Sequence, residues 1–196
     1  MSDTLTFGCR CGSVRGELDT RAPAPIRCIC YCRDCQAQAR HFGVEDVFMD
    51  AHAGIEIVQV ASGNISVVKG LDQVEALRLT PRGVYRFYAG CCGTPLFSTA
   101  PAESWPVSGM PAAVMDADAA TREQVFGPVE FVPFKSGMEG VAPKRKGVVR
   151  QMARLLGQMR AAKRMGRAGS PVWKDGEPVV DPRLITEEER ARAYLT

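Results

Sequence analysis

The stretch "RCICYCRDC", residues 27–35, places four of the chain's eight cysteines in nine positions, and Cys28, Cys30 and Cys32 alternate with other residues. A period of two is that of a β-strand, which would send these three side chains to one face. The "CQAQARHF" run that follows favours a helix, since Ala and Gln are good formers, Asp34 can cap its first turn and Gly43 can end it. Cys35 would then lie in the first helical turn, where unpaired amides and the positive end of the dipole favour a thiolate.

Two further clusters stand apart from this one: Cys9 and Cys11 in "FGCRCGSVRG", and Cys91 and Cys92 in "YAGCCGTPLF". Eight cysteines in 196 residues are too sparse for a disulfide scaffold, and three tight clusters fit metal ligation better than scattered buried thiols. Zinc takes four tetrahedral ligands; a structural site is filled by protein, a catalytic one keeps a position for water or substrate. Eight cysteines could fill two closed sites, or one closed site and one open three-sulfur site with a cysteine left over. Cys28 decides between them. As a fourth ligand it closes the central site; as a small apolar filler behind the metal it leaves the site open.

Composition points the same way. Apolar residues at 45% and charged residues at 24% describe an ordinary globular chain, and 19 Gly with 13 Pro imply many turns. From Leu5 to about Met115 the runs "SVRGEL", "IEIVQV", "ISVV", "VEALRL" and "VYRFY" read as short strands, so the fold is expected to be mainly β. A helix is expected around Ala119 to Val125, and a last strand at "VEFVPF", residues 129–134. The first residues show no basic region leading into an apolar run, and no segment approaches the ~20 apolar residues that cross a bilayer. A cytoplasmic protein without a membrane span is expected.

The net charge of +3 is uneven: nine Lys and Arg and no Asp or Glu fall between Lys144 and Arg167, so the rest of the chain is net negative. Within that part Val148, Met152, Leu155, Leu156, Met159, Ala162 and Met165 recur at helical spacing, giving a basic amphipathic helix whose apolar stripe is expected to dock on the β core. Residues 166–185 read as an extended loop anchored by Trp173, and "TEEE" from Thr186 has the form of a capping box opening a last short helix. Two regions follow, a zinc-binding β domain over 1–135 and a C-terminal helical extension over 136–196 packed on it.

"GCRCGSVRG", then "CYCRDC", then "CCGTPLF" resemble the glutathione-dependent formaldehyde-activating enzyme family, which includes centromere protein V. The likeness covers roughly residues 5–115. It implies a β-tent of several coiled sheets with two zinc sites. By matching positions, Cys9, Cys11 and Cys92 belong to a structural zinc, and Cys30, Cys32 and Cys35 to a second, three-sulfur zinc linked to thiol-adduct chemistry. The chain departs from the pattern at Ala89, where the family carries a cysteine, and Cys91 is expected to supply the lost ligand. Neighbours in extended backbone point to opposite sides, so Cys91 and Cys92 meet one ion only if the chain turns, which Gly90 and Gly93 permit. Tyr31 stands where the family often has His.

The resemblance implies a zinc-dependent carbon–sulfur lyase that forms or cleaves thiol adducts of aldehydes, with glutathione or a similar small thiol as partner. Three thiolates around Zn²⁺ leave an excess negative charge and one free position. Arg10, Arg27, Arg33 and Arg40 lie close to the clusters in sequence and could meet substrate carboxylates. No residue is singled out as a catalytic acid or base, since His41 and His52 are the chain's two histidines and both lie downstream of the central cluster. The other reading is a non-enzymatic, zinc-stabilised binding module that uses the basic helix for a protein or nucleic-acid partner. The helix carries no aromatic residue for stacking on bases, so nucleic acid is not the expected partner.

Overall fold

The computed structural model describes residues 3–129, 132, 137–138 and 148–194. The strands are β1 (Thr4–Gly8), β2 (Arg15–Asp19), β3 (Ile26–Cys30), β4 (Ile55–Ala61), β5 (Ile65–Lys69), β6 (Val74–Arg78), β7 (Tyr85–Ala89), β8 (Thr94–Thr99), β9 (Val107–Pro111), β10 (Trp173–Lys174), β11 (Glu177–Pro178) and β12 (Arg183–Leu184). The helices are α1 (Arg33–Phe42), α2 (Glu45–Phe48), α3 (Ala119–Phe126), α4 (Val148–Arg164) and α5 (Glu187–Tyr194). Each strand-like run of the first 115 residues becomes a strand, and the fold is mainly β. Helices are not confined to the C-terminal extension, however. α1, α2 and α3 precede it, and the extension itself carries short strands.

β1, β2 and β5 form a three-stranded sheet, and a larger sheet runs β12-β6-β7-β8-β9-β4-β3. Alternation makes the sheets two-faced: β2 buries Gly16 and Leu18 and exposes Arg15 and Glu17. The inner faces meet in one cluster that includes Phe7, Leu18, Val58, Val60, Phe87, Leu96 and Met110. Gly16 is required there: a Cβ on it would lie 2.1 Å from the Phe7 ring.

β12 joins the large sheet as a parallel edge strand, Arg183 opposite Leu77 and Leu184 opposite Arg78. The expected boundary between residues 135 and 136 lies outside the described residues, as does most of the expected strand at residues 129–134. Trp173 stacks on Tyr85 with ring centroids 5.7 Å apart. The capping box forms: the Thr186 amide donates to Glu189 Oε2 at 2.8 Å and the Glu189 amide to Thr186 Oγ1 at 3.1 Å. α5 then lies against α1, where the Tyr194 hydroxyl donates to Asp34 Oδ1 at 2.7 Å.

α4 docks in a way its sequence disguises. The residues it buries are Gln151, Gln158 and Ala162, while Met152 stays 52% exposed and Leu156 44%. Gln158 Nε2 donates to the carbonyls of Ala24 and Gln59 at 3.1 and 3.0 Å. The helix therefore meets backbone carbonyls at β4 with a polar edge, and part of its apolar stripe is left outside that contact.

Candidate functional site

Cys9 and Cys11 follow β1 in a turn closed by the Gly12 amide on the Cys9 carbonyl at 2.9 Å. Cys91 and Cys92 follow β7 in a second turn, where the Ala89 carbonyl accepts from the Cys92 and Gly93 amides at 3.2 and 2.7 Å, and Gly93 takes φ 70°. The backbone thus leaves the extended form between Cys91 and Cys92, and both sulfurs face one point. All four Sγ atoms lie within 4.8 Å of one another. Cys9 to Cys11 is 3.5 Å, Cys11 to Cys91 3.3 Å, Cys9 to Cys91 3.9 Å and Cys91 to Cys92 3.9 Å. Four sulfurs held tetrahedrally at ~2.3 Å from a central ion would stand ~3.8 Å apart, so the donor set fits a metal ion. The Val14 amide donates to Cys9 Sγ at 3.2 Å, and the Ser13 hydroxyl and amide with the neighbouring sulfurs draw the Cys11 thiol down to about 6. The lowered Cys11 thiol favours the thiolate that a metal ion takes.

The second set is Cys30, Cys32 and Cys35, again with all Sγ within 4.8 Å of one another. β3 ends at Cys30. The chain turns through Tyr31, Cys32 caps α1, and its Sγ accepts from the Cys35 amide at 3.4 Å. The alternation of three cysteines along one strand is therefore not what assembles the set: Cys32 reaches it by a turn and Cys35 from the first helical turn. Asp34, expected as the cap, lies inside that turn and receives Tyr194 instead.

Cys28 falls outside the set. It stays on β3, paired with Ile57, and burial, ahead of the Cys35 and Cys32 charges, pushes its thiol up to about 12. In the set itself Cys35 is held well below its ordinary value by hydrogen bonds from Cys30 and Cys32 and by the Arg86 guanidinium. The Cys30 thiol is pushed up by the hydrogen bonds to Cys32 and Cys35, and by burial. The Arg86 guanidinium thus stands where it favours thiolate charge at Cys35.

Sequence reasoning passed over Arg86. It lies on β7, only 5% exposed, and its Nη1 donates to Gln38 Oε1 at 2.6 Å. Among the arginines expected near the site, Arg27 is committed elsewhere, to Glu56 at 2.6 Å and the Gly127 carbonyl at 3.0 Å. Arg10 donates to the Cys92 carbonyl at 2.6 Å and so braces the four-sulfur set. His41 sits at the far end of α1 against Phe42, and the His52 amide donates to Asp50 Oδ1; neither belongs to a sulfur set. Tyr31 donates to Asp50 Oδ2 at 3.0 Å.

The three-sulfur set borders a cavity of about 790 Å³, within the range of small-molecule sites. Cys28, Arg33 and Arg86 share its wall with the sulfurs, and Met152 and Leu155 of α4 close one side. The four-sulfur set has only Cys9 on a smaller recess, of about 390 Å³. Both sets could hold a metal ion, and one of them opens on space for a ligand. No described helix is long and apolar enough to cross a membrane.

Comparison with known proteins gives three findings. The chain matches, over residues 1–182, a family described as "Family of unknown function (DUF6151)". No curated protein matches it. Among solved structures, the crystal structure of a Rhodobacter sphaeroides protein is similar, with 16% identity, 63% of this chain and 96% of that chain covered, and a TM-score of 0.41.

Proposed function

The chain belongs to the family of unknown function DUF6151, and from the geometry of its sulfur sets we propose that it is a zinc-binding carbon–sulfur lyase, which forms or cleaves adducts between a small thiol and an aldehyde. One observation carries this reading: Cys30, Cys32 and Cys35 form a set of three on the wall of a large cavity, with Cys28 outside it. A closed four-sulfur site would have no place for a reactant. With this reading go the kinship to the glutathione-dependent formaldehyde-activating enzymes and the interpretation of the sheets as a variant of their tent.

Zinc is the ion proposed because all-thiolate sets suit it and its tetrahedral preference. Cys9, Cys11, Cys91 and Cys92 would hold a structural ion; Cys30, Cys32 and Cys35 would hold the second. Bound there, zinc supplies a Lewis acid that favours the thiolate form of an incoming thiol. The chain's own residues do the rest. Arg86 offsets the excess negative charge of three thiolates, and Gln38 fixes its guanidinium. Arg33 stands exposed at the rim, where it can meet a carboxylate of a thiol of the glutathione kind. In the reaction the thiol sulfur adds to the carbonyl carbon, the carbonyl π pair moves to oxygen, and that oxygen takes the proton the thiol gives up. The reverse step cleaves the carbon–sulfur bond, and nothing is oxidised or reduced.

The test is metal content together with rate. Protein purified under reducing conditions should carry two zinc ions per chain and should speed the exchange between glutathione, formaldehyde and their hemithioacetal, followed by NMR line shape. Zinc-replete protein that leaves the exchange rate at its uncatalysed value would overturn the proposal.

A further inference from the structure

The cavity beside Cys30, Cys32 and Cys35 is not built for a peptide. Ile55 and Ile57 of β4 and Val107 of β9 line it together with Phe48 of α2, and Met152 and Leu155 of α4 also border it. Trp105, 40% exposed, also borders it. The buried residues of α4 are Gln151, Gln158 and Ala162, with Gln158 bonded to the carbonyls of Ala24 and Gln59, and Met152 is left free of the core. A helix that docks by its polar edge keeps its apolar residues for something else. The charged groups of the lining are Arg86, buried beside the sulfurs, Arg33 and Arg82, exposed at the rim, and Asp34, half-buried and engaged by the Tyr194 hydroxyl.

Resting on the lyase reading above, we propose that the aldehyde partner is an apolar one, a medium-chain aliphatic or aromatic aldehyde whose body lies between the β wall and Met152 and Leu155 of α4. A peptide-like thiol would lose its amides' hydration against the apolar side chains of these walls, so it approaches from the rim arginines. The bond made is the same carbon–sulfur bond: sulfur to carbonyl carbon, π pair to oxygen, thiol proton to that oxygen, with no change of oxidation state.

Binding is read without turnover, by displacement of the fluorescent probe N-phenyl-1-naphthylamine with the unreactive alcohols 1-butanol and 1-octanol. Each methylene that leaves water should tighten binding roughly threefold to fourfold, so octanol should bind on the order of a hundredfold better than butanol. Met152→Ala combined with Leu155→Ala should cut octanol affinity at least tenfold and leave butanol unchanged. Trp105→Ala, at a partly exposed rim position, gives the same comparison should the double variant not fold. Octanol and butanol within twofold of each other, or unchanged octanol binding in these variants, would overturn the inference. Acceleration of formaldehyde adduct exchange without any chain-length dependence in binding sinks the apolar-aldehyde assignment and leaves the lyase reading standing. Chain-length-dependent binding without acceleration of octanal or formaldehyde exchange keeps the apolar occupant and removes the lyase reading.

Discussion

Arg86 on β7 and Gln38 on α1 are joined by a 2.6 Å hydrogen bond in a buried position next to Cys35, which is one helical turn before Gln38. That bond ties the helix carrying a sulfur to the sheet and places the one buried cation of the cavity wall against a group of thiols. Arg86→Met removes the charge and leaves the Gln38 oxygen without its donor, a cost of about 1–3 kcal/mol. The variant should retain the metal of the four-sulfur set and lose that of the three-sulfur set more readily. Metal per chain after dialysis should fall from two toward one, while Arg86→Lys holds an intermediate value.

Cys91 and Cys28 separate the two meanings a cysteine has in this chain. Cys91→Ala takes one sulfur from a set of four that joins the end of β1 to the end of β7, so it should lower the melting temperature by about 10 °C or more and release one metal ion. Cys28→Ala removes a small buried group outside both sets; it should cost about 1 kcal/mol and leave the metal content at two. Metal analysis beside thermal melts reads both, and loss of an ion in Cys28→Ala would close the central site and end the case for an open one.

Much of this was legible in the residues, and what was not has a physical reason. The strands announce themselves because one face of each is buried, which period-two alternation records. Cys30, Cys32 and Cys35 are visible as ligand spacing, yet the route by which they converge is not: alternation suggests a strand through Cys32, whereas the sulfur of Cys32 is taken up in capping α1. Arg86 in "VYRFY" looks like the solvent-side residue of a half-exposed strand. It is buried because α1 packs over that face, an event no local pattern encodes. Gln158 fails the helical-wheel count for the same reason, since it meets two backbone carbonyls, Ala24 before β3 and Gln59 on β4.

The capping box at α5 gives a pH dependence with a definite sign. The Arg183 guanidinium and the Thr186 amide hold the Glu189 carboxyl down at about 2, from an ordinary 4.5. A carboxyl depressed in the folded state contributes stability that is whole above pH 4.5 and fades as pH falls through about 2. Glu189→Gln should therefore be less stable than the parent protein at pH 6, and the difference between the two should shrink steadily between pH 4.5 and 2. Chemical denaturation of both proteins across that window is the measurement. A difference constant with pH would place the effect in packing and not in charge. His41, depressed chiefly by burial, is also drawn up by the Glu189 charge, so this pair adds to the charge-dependent difference and the same comparison in a His41→Gln background removes it.

Gln158 offers the sharpest check on how α4 is seated. Its Nε2 serves two carbonyls at once, Ala24 before β3 and Gln59 within β4, while its Oε1 is buried without a partner. Gln158→Leu keeps the volume, takes this donor from both carbonyls and removes the lone oxygen, so the net loss should be modest, about 1–2 kcal/mol. Gln158→Ala takes the same donor away and opens a void as well, and should cost about 2–3 kcal/mol. In both, amide hydrogen exchange in α4 should rise well before exchange in β4 and β9, because the helix is held to the sheet from one edge while the strands are held from both. If instead the apolar stripe carried the docking, exchange in Met152→Ala would rise more than in Gln158→Ala, and that ordering would refute the polar seating of the helix.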